Sequence, residues 1–338
     1  MKKTGFLLAV FLGMIILYIG LNNGQLLPEK ENTAEDNPPV PTTVESGDTN
    51  EEQAASVASQ SIPQEQPEPK QVIEDSSIQL YSPYAMLVHV DNHEVLYEKN
   101  SEETMYPASL TKIMTAIIAI ENIPDLQTSI SLSPDMFPYL YAENASLAGF
   151  MPNEEVSAED LLYGTLLPSG ADAAIGLANY VAGSEEEFVK LMNDKAEALG
   201  MENTNFTNTT GLHDPNHYST AKDISILLQY ALENETFKTI FTSKSYTTAG
   251  TNLHPDGITV YNTMFNKMDE PMLTNGEILG GKTGFTDEAG LCLASLASID
   301  GETYILVTAG AQGNNQTEQY NISDAFTVYE GIHTKSSE

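Results

Sequence analysis

The sequence predicts an α+β fold: an antiparallel β-sheet flanked by helices, closed by both ends of the domain around an inserted all-helical subdomain. Three observations predict it. Alternating apolar and polar residues at 84–90 and 94–99 frame Asp91-Asn92-His93 as a hairpin turn. Helix signals fill the middle of the chain. Strand patterns then return at about 281–286, 290–297 and 303–309. Strands, then helices, then strands are best reconciled by one sheet built from both ends, with the helices covering it.

Taken in order, Lys2 and Lys3 precede an apolar run over 5–21. A basic start followed by such a run directs a chain out of the cytoplasm. Residues 1–24 are therefore expected to be a membrane anchor or a signal peptide. The anchor is favoured, because Leu21-Asn22-Asn23-Gly24 offers no small-x-small cleavage site. Residues 25–77 are rich in Pro, Glu, Gln, Ser and Thr and nearly free of aromatics. Such a segment buries too little apolar surface to offset its ordering entropy, and is expected to be a disordered acidic linker. The function-bearing domain is expected over 78–338.

Within that domain a helix is predicted over 109–121. Three more are signalled by capping boxes, Ser157 with Asp160, Ser184 with Glu187, and Thr220 with Asp223. A last helix is expected over 317–331. Cys292, the single cysteine, lies between Leu291 and Leu293 and reads as a buried strand thiol.

Charge narrows the function. Asp and Glu total 48 against 14 Lys and no Arg, for a net charge of −34. Phosphate backbones and anionic lipid surfaces are bound through basic footprints, so neither nucleic acid nor a polybasic lipid contact is expected. The six histidines show no zinc-ligand spacing, and one cysteine makes no cluster. No metal or organic cofactor is expected.

Chemistry is signalled at Ser109-Leu110-Thr111-Lys112. A serine hydroxyl is a poor nucleophile until a base takes its proton. Three residues make nearly one helical turn, so Ser109 and Lys112 face the same way. Lys112 can be that base if burial or a nearby cation lowers its pKa. At a helix N-terminus the backbone N–H of Ser109 also faces a developing oxyanion. The motif is short enough to recur by chance, as Ser219-Thr220-Ala221-Lys222 shows. There Thr220 reads as an N-cap and Lys222 as an exposed first-turn residue. Order distinguishes the true set: Ser109 and Lys112, then Ser169-Gly170, then Lys282-Thr283-Gly284 on a predicted edge strand. An edge strand can pair with an extended substrate, and its glycine lets a backbone approach closely.

This ordered trio resembles the motif set of class A β-lactamases and penicillin-binding proteins. The likeness extends from about residue 82 to 311. It includes Tyr106-Pro107-Ala108-Ser109-Leu110-Thr111-Lys112, Leu166-Leu167-Pro168-Ser169-Gly170-Ala171, Gly211-Leu212-His213-Asp214-Pro215-Asn216-His217-Tyr218-Ser219 and Gly280-Gly281-Lys282-Thr283-Gly284-Phe285-Thr286. The chain is most similar to serine-type D-alanyl-D-alanine carboxypeptidases, the low-molecular-mass penicillin-binding proteins with a β-lactamase/transpeptidase-like fold. The resemblance implies that Ser109 takes the acyl group from the penultimate D-alanine of a peptidoglycan stem peptide. Lys112 is then the base and Ser169 a proton shuttle to the leaving amine. Lys282 and Thr283 hold the substrate carboxylate, Gly284 admits its backbone, and the Phe285 N–H completes the oxyanion hole. β-Lactams are expected to trap Ser109.

Two departures accompany the likeness. The family usually has Asn where Ala171 stands, so acylation is expected to slow unless Asn144 or Asn179 compensates. Relatives often carry an arginine after the third motif, whereas no Lys or Arg lies between Lys282 and Lys335. The short tail after Ile332 is expected to hold neither the β-rich domain nor the C-terminal anchor of many relatives, leaving the N-terminal segment to place the domain outside the membrane. A class A β-lactamase and a catalytically weak wall-binding homologue are the alternatives; the former would need a Glu-x-x-Leu-Asn type loop between the second and third motifs, and this sequence shows none. Finally, the net charge favours protonated lysines, so an alkaline pH optimum is expected unless local burial dominates.

Overall fold

The computed structural model describes residues 78–332. The expected N-terminal anchor (1–24) and acidic linker (25–77) lie outside the described residues. Among the described residues no helix is long and apolar enough to cross a membrane.

A six-stranded antiparallel sheet forms the frame. Its strands are β1 (Tyr84–His89), β2 (Val95–Lys99), β7 (Met272–Leu273), β8 (Gly276–Thr286), β9 (Gly290–Ile299) and β10 (Glu302–Ala311). Their order is β2-β1-β10-β9-β8-β7, so the first hairpin pairs with the last strand and both ends of the domain close the sheet, as expected. Tyr84 lies opposite Ala309, and Thr283 opposite Leu293. Period-2 alternation sends Met86, Val88, Ile305 and Val307 into one apolar layer, and Ala85, Leu87, Tyr304 and Leu306 into the other. Both faces are thus buried. One is covered by α8 (Tyr320–Glu330), through Ile322, Ala325, Val328 and Tyr329. The expected final helix is present but begins later, because Asn314 and Thr317 close a turn on themselves first.

The helical part covers the other face. It comprises α1 (Lys112–Asn122), α2 (Phe137–Ala142), α3 (Ala158–Leu166), α4 (Ala171–Ala182), α5 (Glu185–Ala198), α6 (Ala221–Leu232) and α7 (Glu235–Phe241). Two short ribbons attend it, β3 (Ser129–Ser131) with β4 (Glu155–Ser157), and β5 (Ser245–Thr247) with β6 (Thr259–Tyr261). The three predicted caps are made: Ser157, Ser184 and Thr220 side chains accept from the N–H of Asp160, Glu187 and Asp223. Helix α1 is apolar all round, and Lys112 through Ala119 are buried. A helix of that character belongs at the centre of a helical cluster, and there it lies. Cys292 is buried in β9, and desolvation pushes its thiol up to about 12, so it is inert.

Candidate active site

The first turn of the predicted 109–121 helix is tighter than expected. Ala108–Thr111 form a 3-10 turn that runs into α1 at Lys112. Ser109 stands in that turn. Ala108 before it has φ +46°, a left-handed conformation that costs a residue with a Cβ. Ser169, in the turn between α3 and α4, has φ +68°. Non-glycine residues held in this region persist only where surrounding contacts over-determine them, and here two of them carry candidate catalytic hydroxyls or abut one.

Lys112 Nζ lies 3.2 Å from Ser109 Oγ and also donates to the Thr210 carbonyl. The lysine side chain is 2% exposed. Burial pushes its pKa down to about 7, against the opposing pull of the Asp172 and Glu185 carboxylates. Near neutrality a large share of this amine is therefore neutral, beside the Ser109 hydroxyl. The exception attached to the alkaline expectation applies at Lys112, where desolvation outweighs the field of a −34 chain.

Lys282 is fully buried and donates to Ser169 Oγ at 2.8 Å and to the Thr283 carbonyl at 2.8 Å. Desolvation first, then the neighbouring charges of Lys112 and Lys267, hold its pKa well below the ordinary lysine range. The two lysines thus converge on one site, each bonded to one of the two motif serines.

The strand contributes geometry. A Cβ on Gly284 would come within 3.1 Å of the Pro107 carbonyl oxygen and 3.2 Å of the Ser109 nitrogen. A side chain there would be a tight fit, because the nucleophile's turn lies against the strand. The Asn262 side-chain amide donates to the Gly281 carbonyl, so that residue's polar groups face away from β9. Backbone polar groups alternate sides along a strand, and the β8–β9 register is regular from Gly280 to Thr286. Thr283 and Phe285 therefore turn their N–H and C=O groups to the same free edge. The Phe285 N–H thus lies on the edge that, one residue earlier at Gly284, runs close to the Ser109 nitrogen.

Ser109, Lys112, Ser169, Lys282, Thr283, Gly284 and Phe285 are thus brought together. Asn144 is exposed, with φ +50°, and Asn179 uses its carbonyl to cap α4 through Gly183. Neither bonds to Lys112 or Lys282, whose partners are Ser109, Thr210, Ser169 and Thr283, so the compensation for Ala171 that the sequence left open is not made by these two asparagines. The second partner of Lys112 is instead the Thr210 carbonyl. Its loop is held by Asn208, whose Oδ1 accepts from the N–H groups of Thr210 and Gly211 and whose Nδ2 donates to Leu212 O. Glu185 Oε1 accepts from the Thr209 N–H and hydroxyl. Asp172, after Ala171, accepts from the N–H groups of Ala148, Gly149 and Phe150, and its burial raises its pKa against those bonds.

Two further residues, Asn262 and Thr263, went unassigned in the sequence. The Thr263 and Thr283 hydroxyls lie 2.6 Å apart at the edge strand. A single atypical asparagine-threonine pair in a loop has no pattern that would mark it beforehand. The decoy Ser219-x-x-Lys222 behaves as expected, with Thr220 capping α6 and Lys222 paired to Glu102 on the surface.

A six-stranded antiparallel sheet, a helical insertion and a Ser-x-x-Lys centre facing a Lys-Thr-Gly edge define the class: a β-lactamase/transpeptidase-like domain of the serine, lysine-assisted kind. Comparison with known proteins agrees. The crystal structure of the Streptomyces K15 DD-transpeptidase superposes with a TM-score of 0.67 and 28% identity, covering 75% of this chain and 97% of that one. Residues 70–313 match the S11 peptidase family, D-alanyl-D-alanine carboxypeptidase, and the chain belongs to that family. The D-alanyl-D-alanine carboxypeptidase DacF of Bacillus subtilis (strain 168) is 34% identical over 250 residues, 73% of this chain and 62% of the relative. The D-alanyl-D-alanine endopeptidase of Escherichia coli (strain K12) is 32% identical over 251 residues, 70% of this chain and 74% of the relative. The chain thus spans less than two thirds of the Bacillus protein it matches.

Proposed function

We propose that this protein is a serine D-alanyl-D-alanine carboxypeptidase that removes the terminal D-alanine from peptidoglycan stem peptides. The observation that carries this reading is the 3.2 Å approach of a buried lysine of depressed pKa to Ser109 Oγ, facing an edge strand whose donors are free for an extended ligand. Neutral Lys112 takes the Ser109 proton as Oγ attacks the carbonyl carbon of the penultimate residue. The Ser109 and Phe285 N–H groups receive the oxyanion, and Thr283 with Lys282 holds the terminal carboxylate. As the C–N bond breaks, the Ser169 hydroxyl gives its proton to the departing amine and takes up in its place the proton that Lys112 removed from Ser109, which returns Lys112 to its neutral form. Lys112 then activates water, whose attack on the ester frees Ser109. The residues named hold and move every proton in this scheme.

β-Lactams fit the same site as covalent inhibitors, because their strained amide presents a carbonyl to Ser109 with a carboxylate nearby. The test is intact-mass measurement after benzylpenicillin, together with D-alanine release from a stem pentapeptide. One adduct per chain in wild type and none in Ser109→Ala is expected. An adduct surviving in Ser109→Ala would refute the assignment. The likeness to an endopeptidase supports a second specificity, and release of monomers from cross-linked dimers by the same preparation distinguishes it. Rapid loss of the adduct would favour the lactamase reading.

The leader and the acidic segment support an extracytoplasmic domain tethered by residues 1–24. Recovery of the full chain in the membrane fraction, resistant to alkaline extraction, is the expected outcome of cell fractionation.

A further inference from the structure

We propose that Thr111 and His217 are positioning residues that aim the Ser109 backbone N–H at the reacting carbonyl. The inference rests on the acyl-transfer reading above and adds to it two residues that touch no substrate.

The hydrogen-bond directions are settled by the partners. The Thr207 backbone N–H can only donate, and it lies 3.1 Å from His217 Nδ1. That nitrogen is therefore the acceptor and carries no proton. In the neutral ring the proton then sits on Nε2, which lies 2.8 Å from Thr111 Oγ1 and donates to it. Having accepted there, the Thr111 hydroxyl donates to the Ala108 carbonyl at 2.8 Å. A one-way chain thus runs from the Thr207 amide through imidazole and hydroxyl to one carbonyl oxygen. His217 is 2% exposed and Thr111 fully buried, so water does not substitute for either partner. The charged and titratable groups around the ring are Asp214, Lys112 and His213.

The carbonyl at the end of the chain belongs to the peptide whose N–H is that of Ser109. A trans peptide is planar, and its C=O and N–H point in opposite directions. Fixing the oxygen therefore fixes the donor that would meet the oxyanion. This peptide has reason to need fixing, because Ala108 is held at φ +46°. Two glycines complete the clamp. A Cβ on Gly211 would fall 1.8 Å from the Ala108 oxygen, and one on Gly284 would fall 3.2 Å from the Ser109 nitrogen. The backbones of both glycines therefore lie close against the same peptide. The Thr111 hydroxyl supplies the directional bond that steric contact does not.

Thr111→Val removes that bond at nearly constant volume. The expected result is a fall of about 10- to 100-fold in the first-order rate of acylation by a fluorescent penicillin, below the loss seen when an oxyanion donor is deleted outright. The pre-acylation binding constant is expected to hold within about threefold, since the bond matters only as charge develops. Thr111→Ser, which keeps the hydroxyl, is expected to restore most of the rate. His217→Gln offers an amide donor in place of Nε2 and should retain more activity than His217→Leu. Circular dichroism and a thermal melt report folding of each variant. Wild-type acylation by folded Thr111→Val, or failure of Thr111→Ser to exceed it, overturns the proposal. A wild-type protein that takes up no penicillin would sink the acyl-transfer reading and this proposal together, whereas a labelled wild type with an equally fast valine variant sinks this one alone.

Discussion

Lys282 Nζ lies 2.8 Å from Ser169 Oγ, although 113 residues separate the two in the chain. The serine hydroxyl accepts from this amine, which leaves its own proton available for donation. Its backbone is left-handed, φ +68°, in the turn before α4. A hydroxyl that accepts from a buried amine and keeps its own proton to donate is suited to protonating a leaving group.

Ser169→Ala should therefore slow substrates according to how badly their leaving groups need a proton. Hydrolysis of the peptide amide is expected to fall about 100-fold, within the usual range for general acid catalysis. The analogous ester, whose alkoxide departs more readily, should lose about tenfold or less. Steady-state rates for a matched amide and ester pair measure the contrast. Equal losses on both would leave Ser169 without this role.

The pH dependence follows from Lys112. A general base acts in its neutral form, and burial places this amine at about 7. The acylation rate should rise with pH through about 7 and level off above 8, because the protonated fraction vanishes there. Stopped-flow acylation between pH 5 and 10 shows the limb directly. A rate still climbing at pH 10 would mean that Lys112 retains an ordinary lysine pKa.

The same burial carries a stability cost. Between the folded value near 7 and the unfolded value near 10.5, the unfolded chain binds the proton that the folded chain excludes. Stability therefore rises with pH across that window, and the penalty is complete below it. Lys112→Met should abolish acylation yet raise stability at pH 6 by about 1–2 kcal/mol. That is less than the shift implies at ~1.4 kcal/mol per unit, because the bond to the Thr210 carbonyl is lost as well. Urea denaturation of the two proteins at pH 6 decides it, and a gain that shrinks toward pH 10 identifies the cause.

What the sequence made legible, and what it concealed, divides along chemical lines. The long strands and the capped helices carry side-chain signatures, so β1, β2, β8, β9 and β10 and the starts of α3, α5 and α6 were readable. The ribbons of three-residue strands and helices α2 and α7 are too short to impose a period. In the site, the trio was readable because each member acts through its own side chain. The second partner of Lys112 was not, because it is a main-chain carbonyl, Thr210, and any residue could supply one. Asn208 and Glu185 matter only through the loop shape they enforce. The depressed lysine pKa was hidden for a related reason: net charge is a sum over the sequence, while burial depends on contacts between distant segments.

Ala171 illustrates how a motif departure is absorbed. It is 1% exposed at the first turn of α4, and its N–H donates to the Ser146 carbonyl at 2.8 Å. Restoring the family asparagine there would press an amide into a space filled by a methyl group. Ala171→Asn is expected to destabilise the domain by about 1–3 kcal/mol and to bring no gain in acylation. Thermal denaturation alongside penicillin labelling tests both halves, and a faster, equally stable variant would show that the site still accommodates the asparagine.

Gly211 provides the sharpest steric test of the site, because a matched control exists in the same chain. Gly211 and Gly200 have nearly the same backbone angle, φ +77° and φ +74°. Adding a Cβ imposes a similar conformational cost at both, about 1 kcal/mol. Their surroundings differ: nothing lies within 4 Å of a Cβ at Gly200, whereas one at Gly211 would fall 1.8 Å from the Ala108 oxygen. That oxygen is backbone and cannot swing aside as a side chain would. The Ala108–Ser109 peptide or the 208–211 loop must then move, and Lys112 hangs from that loop through Thr210. Gly200→Ala should keep wild-type acylation and lose about 1 kcal/mol of stability. Gly211→Ala should lose at least ~2 kcal/mol more and acylate at least ~100-fold more slowly, since misplacement of about 1 Å suffices for such a loss. Paired melts and penicillin acylation rates for the two variants measure the difference, and similar behaviour of both would mean that the contact between Gly211 and the nucleophile's turn is not what holds Ser109 in place.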